Sequence, residues 1–252
     1  MNELDGTTAI VTGASRGFGR AIAKQLVAAG AHVVGIARNR AHLELVREEL
    51  GDRFEVLAAD AADPAVAGRL VAEYRPRTIV LAAGLAPRMA ALADQTWDTF
   101  TENWNVDVSQ AFHWVQCALR LPLAPGSSVI AISSGAAVNG SPLSGGYAGA
   151  KATVRFISSY AAQESARAGL GIDFVSLLPR LTPATDLGAK AVAAYAERQG
   201  VDIDAYLESF GPILTPEQVG RSVRDLLGKG AGKAADNDGA YLLTAAGIAP
   251  LR

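Results

Sequence analysis

The chain has 252 residues and a formal net charge of -2, with half of its residues hydrophobic and 19% charged. This balance excludes the charge-rich, apolar-poor composition of disordered chains. No basic stripe is present, which argues against nucleic acid as a partner. The length suits one α/β domain with a sizeable core, so we expect residues 1–252 to form a single domain.

Four features favour a cytoplasmic protein without a membrane or metal partner. Cys117 is the only cysteine, which suits a reducing compartment. The first residues, Met1 to Asp5, lack the regions of a signal peptide. The most apolar stretch, Thr78 to Pro87, is too short to span a bilayer. The three histidines have no metal-ligand spacing, so no metal site is expected.

Apolar runs alternate with helical patterns along the chain. The runs predict buried strands at Thr7 to Thr12, His32 to Ala37, Phe54 to Ala58, Thr78 to Ala82, Ser128 to Ser133, Ile172 to Leu177 and Tyr241 to Thr244. Helices are expected at Gly17 to Ala29, Ala41 to Leu50, after the Asp63-Pro64 cap, across most of Asp94 to Leu121, and at Tyr147 to Ala168. Repeated βαβ units predict a Rossmann fold: a doubly wound, mostly parallel, seven-stranded sheet with helices on both faces.

This regularity fades after Pro179. Residues of about 180–216 contain one helix-like piece, Leu187 to Arg198, between proline-punctuated loops, as expected of a substrate lid. Thr215 and Pro216 then open a further helix. The glycine-rich stretch Gly228 to Gly239 predicts a mobile loop before the last strand.

A glycine-rich turn joins the first strand to the first helix, with the sequence Thr12-Gly13-Ala14-Ser15-Arg16-Gly17-Phe18-Gly19. A turn that brings backbone N–H groups close to a pyrophosphate must lack the Cβ atoms that would block this approach. The helix N-terminus adds a partial positive charge. In the first βα turn of a βαβ series, this pattern indicates dinucleotide binding.

The pattern Thr-Gly-x-x-x-Gly-x-Gly resembles that of the short-chain dehydrogenase/reductase family, and the resemblance extends over nearly the whole chain. Asp60 matches the family's adenine-contacting aspartate; a capping role is the alternative, although Asp63 already provides a cap. Ala82-Ala83-Gly84 stands where the family usually has Asn-Ala-Gly, which is expected to weaken local hydrogen bonding. The resemblance implies cofactor contacts from Gly13, Ser15, Arg16, Gly17, Phe18, Gly19, Arg38, Asp60, Ala61, Ala83, Gly84, Tyr147, Lys151, Pro179 and Thr182.

The end of the second strand decides between the two nicotinamide cofactors. Enzymes that prefer NAD place an acid there to hold the ribose 2′-OH. This chain has Ala37-Arg38, with Arg16 inside the glycine turn. Two guanidinium groups without a carboxylate suit a 2′-phosphate, so we expect NADP(H) rather than NAD(H). The alternative is that Arg38 and Arg40 are solvated loop charges.

Tyr147 and Lys151 are four residues apart, so they share one face of a helix. A free tyrosine has a pKa of about 10, and a nearby ammonium favours the phenolate needed for acid/base chemistry. Ser134, thirteen residues before Tyr147, completes a set that resembles the family's catalytic residues. The resemblance implies that Tyr147 exchanges a proton with the substrate oxygen, that Lys151 also holds the nicotinamide ribose, and that Ser134 hydrogen-bonds the substrate.

Two further positions depart from the family pattern. Asp107 stands where the family has an asparagine, five residues before an aromatic, and either orders a proton-relay water or is structural. Pro179-Arg180 replaces the usual Pro-Gly, while the Thr182 backbone is still expected to meet the nicotinamide carboxamide. We hypothesise that Asp107 and Arg180 are coupled; alternatively, Arg180 faces the substrate and selects an anionic one.

The sequence therefore predicts an NADP(H)-dependent oxidoreductase for a small-molecule carbonyl or alcohol substrate. Two alternatives are a cofactor-binding regulatory module and an enzyme that uses the same fold for epimerisation or dehydration. The resemblance also implies a homotetramer or a homodimer.

Overall fold

The computed structural model describes residues 4–228 and 239–251. Within them, eight strands form one sheet: β1 (Thr8–Thr12), β2 (His32–Ala37), β3 (Phe54–Ala58), β4 (Thr78–Leu81), β5 (Ser128–Ile132), β6 (Asp173–Pro179), β7 (Ala240–Thr244) and β8 (Gly247–Pro250). Their order is β3-β2-β1-β4-β5-β6-β7-β8. All neighbours are parallel except β7 and β8, so the predicted mostly parallel sheet is confirmed.

Helices cover both faces of this sheet. They are α1 (Gly17–Ala28), α2 (Arg40–Leu50), α3 (Pro64–Tyr74), α4 (Trp97–Asn103), α5 (Ser109–Arg120), α6 (Ala136–Asn139), α7 (Gly145–Ala168), α8 (Asp186–Gln199), α9 (Ile203–Glu208) and α10 (Pro216–Gly228). Apolar side chains of α1, α2 and α10 pack on one face, and those of α3, α5 and α7 pack on the other. The chain is therefore doubly wound, as predicted.

The predicted number of seven strands is wrong, because β8 adds an eighth. A tight turn reverses the chain after Thr244, and β8 pairs antiparallel with β7. Gly247 permits this turn with a φ of +115°. The sequence Gly-Ile-Ala-Pro carries little strand signal, and Pro250 is tolerated because β8 is an edge strand.

The helix predicted over most of Asp94 to Leu121 has a more complex form. It begins at Trp97, because the Thr96 hydroxyl caps the backbone N–H of Thr99. A π-helical turn, Trp104–Val108, then separates α4 from α5. This wider turn contains the buried Asp107, and π-turns of this kind are frequent at functional sites.

The 180–216 segment contains more helix than predicted. The piece expected at Leu187 to Arg198 is α8, which Thr185 caps. The short helix α9 follows, capped by Asp202, and has too few apolar positions to be recognised from sequence. The Thr215 cap of α10 is confirmed. Most of the loop predicted at Gly228 to Gly239 lies outside the described residues.

Trp114 anchors the α5 side of the core. Its side chain is fully buried, and its indole Nε1 donates a 2.9 Å hydrogen bond to the Ala61 carbonyl oxygen, just beyond β3. Within the described ranges, no helix is long and apolar enough to cross a membrane.

We predict that Trp114→Phe lowers the free energy of unfolding by about 1 to 3 kcal/mol, because the Ala61 carbonyl loses its buried donor. Trp97→Phe is the matched control: that side chain is 76% exposed, so a change within about 0.5 kcal/mol is expected. Urea unfolding of both variants measures the difference. Equal stabilities would contradict the role assigned to this hydrogen bond.

Candidate active site

The parallel strands end at one edge of the sheet, where a cavity of about 530 Å³ opens beside the reversal of strand order at β1 and β4. Ligands of open α/β sheets bind at this position. The cavity is lined by the glycine turn, by the residues after β2, β3 and β4, and by one face of α7. All of the predicted cofactor contacts line it except Pro179 and Thr182.

The glycine turn has the close backbone packing that its sequence implies. A Cβ on Gly13 would lie 2.7 Å from the Ala83 Cα, and one on Gly19 would clash with the Gly13 carbonyl oxygen. The first turn of α1 has neither a side-chain cap nor an acidic residue, which leaves backbone N–H donors for an anion. This cradle fits the pyrophosphate of a dinucleotide.

The absence of an asparagine at position 82 was expected to weaken the local hydrogen bonding. Gln110 and Thr12 supply hydrogen bonds at this place. The Thr12 hydroxyl oxygen accepts from the backbone N–H groups of Ala82 and Ala83, at 3.0 and 3.1 Å. The buried Gln110 side chain accepts from that hydroxyl and donates to the Ala83 carbonyl oxygen at 2.9 Å. The sequence interpretation missed Gln110, which lies 27 residues from its backbone partner.

Asp60 lines the cavity and does not cap a helix. Its carboxylate accepts from the Ala62 backbone N–H at 2.9 Å, which orders the turn after β3, and it lines the cavity. Asp63 caps α3 by accepting from the Ala65 N–H, as predicted. Capping of the helix therefore does not occupy Asp60.

Two arginines line the cavity, Arg16 in the glycine turn and Arg38 just beyond β2. The Arg16 guanidinium forms an exposed ion pair with Asp186 at 2.8 Å. Arg38 is exposed, and within the described chain its side chain has neither a hydrogen bond nor an ion pair. The sequence interpretation missed Asn39, His42 and Lys190, which also line the cavity. Asn39 is recognisable only as the cap of α2.

Lys151 and Asp107 form a buried ion pair at the inner end of the cavity. The Lys151 Nζ lies 2.8 Å from an Asp107 carboxylate oxygen and donates to the Ile132 carbonyl at 3.0 Å. The other Asp107 oxygen accepts from the Leu85 N–H and the Asn103 amide. Burial alone would lower the pKa of Lys151, but the charges of Asp107 and Tyr147 outweigh it and raise that pKa above its usual 10.5.

The hypothesis that Asp107 is coupled directly to Arg180 is wrong. The π turn brings Asp107 against α7, where its ionic partner is Lys151. Arg180 instead places its guanidinium 5.3 Å from the centre of the Phe210 ring. Asn103, one turn before Asp107, donates to Asp107 and to the Leu85 carbonyl oxygen.

A second cavity of about 370 Å³ adjoins the first. Tyr147 lines both, and its ring centre lies 5.7 Å from the Lys151 Nζ. Ser134, Pro179 and Thr182 line the second cavity and not the first. The Thr182 hydroxyl donates to the Leu214 carbonyl and accepts from the Ala184 N–H, so it anchors the 180–216 segment.

The neighbouring Ser133 has a different environment from Ser134. The buried Ser133 hydroxyl donates to the Lys151 carbonyl at 2.8 Å and thereby joins β5 to α7. Ser134 is only partly buried, and its oxygen accepts from the Ala136 N–H at 3.2 Å. The Ser134 hydroxyl proton is thus available to a ligand in the second cavity.

Comparison with known proteins gives consistent similarities. The family model for short chain dehydrogenases matches residues 7–196. An uncharacterized short-chain type dehydrogenase/reductase of Sinorhizobium fredii is 29% identical over 88% of this chain, which spans only 40% of that protein. The 3-oxoacyl-(acyl-carrier-protein) reductase FabG of Escherichia coli K12 is 30% identical, over 69% of this chain and 73% of that protein.

One solved structure resembles this chain over almost its whole length. The 3-ketoacyl-(acyl-carrier-protein) reductase from Brucella melitensis, complexed with NADH, covers 94% of this chain and 96% of its own, with a TM-score of 0.76. The two sequences are 22% identical, so the likeness concerns the fold.

We predict that Asp107→Asn lowers the free energy of unfolding by about 1.5 to 3 kcal/mol at pH 8, because an amide oxygen accepts a hydrogen bond from the Lys151 ammonium but carries no charge. Since the folded state raises the pKa of Lys151, this contribution is complete below pH 10.5 and is lost as the pH rises through the raised pKa. Denaturant unfolding from pH 7 to 11 measures it.

Glu164→Gln, which changes an exposed carboxylate on α7, is the control for Asp107→Asn. It should change stability by less than about 0.5 kcal/mol. A stability loss in Asp107→Asn that stays constant up to pH 11 would show that the ion pair does not cause it.

Proposed function

We propose that the chain transfers a hydride between NADP(H) and a small carbonyl or alcohol substrate. The proposal starts from the family: the chain belongs to the short-chain dehydrogenase/reductase family of NAD(P)-dependent enzymes. The observation that carries the proposal is the position of Tyr147, which lines both cavities beside Lys151. The complete set of Ser134, Tyr147 and Lys151 weighs against a regulatory module without catalysis.

Residues of this chain would exchange a proton with the substrate oxygen and hold that oxygen in place. In reduction the Tyr147 hydroxyl protonates the substrate oxygen, and in oxidation the phenolate accepts that proton. Ser134 donates a hydrogen bond to the same oxygen. The charged Lys151 is held by Asp107 and the Ile132 carbonyl, with its Nζ 5.7 Å from the centre of the Tyr147 ring. When bound, the nicotinamide supplies or accepts the hydride.

Tyr147→Phe is expected to reduce kcat by at least about 10²-fold, because the phenyl ring cannot exchange a proton. Cofactor affinity should remain close to that of the wild type. Tyr160→Phe, which alters an exposed tyrosine on the same helix, serves as the control. Steady-state kinetics with a panel of aldehydes and ketones gives the comparison, and near-normal turnover in Tyr147→Phe would remove this residue from the mechanism.

We infer a preference for NADP(H) from two positive charges at the cavity, Arg38 just beyond β2 and Arg16 in the glycine turn. Arg38 lines the cavity without an ionic partner among the residues described, and Ala37 leaves no carboxylate to hold a 2′-OH. Arg16 is paired with Asp186, but both side chains are more than 70% exposed. An exposed pair is worth about 0 to 1 kcal/mol, so a 2′-phosphate competes readily with Asp186 for Arg16.

Replacement of Ala37 by Asp together with Arg38→Gln should reverse the preference from NADP(H) to NAD(H), because the new carboxylate accepts from the 2′-OH and repels a phosphate. Dissociation constants of NADP⁺ and NAD⁺ for both proteins provide the measurement. Arg40→Gln is the control, since Arg40 pairs with Glu44 on α2 and does not line the cavity. A wild type that binds NAD⁺ more tightly would contradict the assignment.

Other features complete the proposal. We propose that residues 1–252 are a single domain, that the 180–216 segment acts as a lid, and that the lone Cys117 reflects a cytoplasmic location. Pairing of copies, as a homodimer or homotetramer, is supported by large apolar side chains that remain exposed along α5, α7 and the π turn: Trp104, Phe112 and Phe156.

A further inference from the structure

We propose that the second cavity recognises an anionic substrate, with Arg180 binding its carboxylate or phosphate group. The inference rests on the proposed function in one respect, because it assumes that the substrate carbonyl or alcohol meets Tyr147 and Ser134 in this cavity. It adds the substrate class: a carbonyl or alcohol compound that bears a negative charge near the reacting carbon and an apolar body.

The distribution of charge on the cavity wall carries the inference. Arg180 is the one charged residue among those that line the cavity within the described part of the chain, and no carboxylate accompanies it. In the same ranges, its guanidinium takes part in neither a hydrogen bond nor an ion pair. A guanidinium with free donors beside an apolar surface is suited to bind an anion through two parallel hydrogen bonds.

The chain holds Arg180 in place without using its donors. Its backbone N–H donates to the Leu243 carbonyl of β7 at 2.9 Å, which fixes the residue at the end of β6. The guanidinium carbon lies 5.3 Å from the centre of the Phe210 ring, a cation–π contact that uses none of its N–H groups in a hydrogen bond to another described residue. Phe210 packs edge to face against Tyr206 of α9, which stacks on Tyr195 of α8.

The backbone of Arg180 lies close to that of Ser134, which would hold the reacting oxygen of the substrate. The Pro179 carbonyl oxygen accepts from the Gly135 N–H at 2.9 Å, so the residue after β6 lies directly beside the one after Ser134. A Cβ built on Gly135 would be only 3.9 Å from the Arg180 Cα. The backbone of Arg180 therefore lies next to the residue that follows Ser134, and both side chains line the same cavity.

The rest of the wall indicates what the substrate body is made of. Aromatic and aliphatic side chains from the 180–216 segment and from the loop after β4 line the cavity: Met89, Leu187, Tyr195, Tyr206 and Phe210. A volume of about 370 Å³ accommodates a ring or a short chain beside the charged group. The class that fits is an aryl or alkyl carbonyl compound that carries a carboxylate or a phosphate.

Two matched pairs of compounds test the inference. In the first pair, phenylglyoxylate carries a carboxylate and phenylglyoxylamide a neutral amide. In the second pair, phenacyl phosphate carries a phosphate and phenacyl alcohol a neutral hydroxyl group. Binding to the NADP⁺-loaded protein is measured by calorimetry, and turnover with NADPH by absorbance. We expect at least one anion to bind about 10- to 100-fold more tightly than its neutral partner, as for loss of a charged hydrogen bond. The pair that shows this difference identifies the anionic group.

Three variants assign the preference to one side chain. Arg180→Gln should abolish the anion-to-neutral ratio, and Arg180→Lys should restore part of it because the charge returns without the planar fork. Arg198→Gln, on the exposed surface of α8 and outside both cavities, should keep the wild-type ratio. Thermal unfolding verifies that each variant is folded.

The outcomes separate the two proposals. Equal affinity for both members of each pair, absence of binding by both anions, or a preference that survives in Arg180→Gln would overturn the anion site. Turnover without any anion preference would leave hydride transfer intact and remove only this inference. An anion preference that depends on Arg180, with no turnover of any compound, would support the binding site and count against the proposed reaction.

Discussion

The buried ion pair between Lys151 and Asp107 is the interaction around which the site is arranged. Two charges out of water are tolerated only when their geometry is close and their remaining polar atoms are paired. The π turn, the Ile132 carbonyl and the Leu85 N–H meet these requirements from three different elements. Gly84 is part of the same constraint, because a Cβ there would lie 2.9 Å from an Asp107 oxygen. One side-chain pair thereby links the loop after β4, the end of β5 and α7 at the inner end of the cavity.

The fold could be predicted from sequence wherever local signals agree with burial. The strands His32–Ala37 and Phe54–Ala58 lie where their apolar runs predict them, and Asp63 caps α3. The π turn and β8 were not predictable, because a helical pattern does not reveal one extra residue in a turn and a short exposed edge strand has no alternation. The family resemblance identified many of the residues that line the first cavity, but not Gln110, nor the partner of Asp107, since that contact depends on the turn.

Departures from the family pattern are accommodated by neighbouring groups that are distant in the chain. Gln110 and Thr12 together hold the backbone at Ala83. The preceding residue, Ala82, stands where the family usually has an asparagine. Asp107 takes the place of another asparagine and gains an ionic partner in Lys151. Arg180, in contrast, has no compensating carboxylate on its cavity wall within the described ranges. A charged substitution that has an ionic partner inside the chain, as Asp107 does, indicates a structural role. A charged substitution at a cavity without such a partner, as at Arg180, leaves its charge available to a ligand.

The two acidic residues that pair with cations around the first cavity differ in their contact with solvent. Asp186 and Arg16 are exposed at its outer end, whereas Asp107 and Lys151 are buried at its inner end. Mobile ions screen charges over a Debye length of about 8 Å at physiological ionic strength, and they act on groups that water can reach. Added salt therefore weakens the outer pair and hardly changes the inner one. The charge of Lys151 is insulated from the ionic composition of the medium, while the charges of Arg16 and Asp186 respond to it.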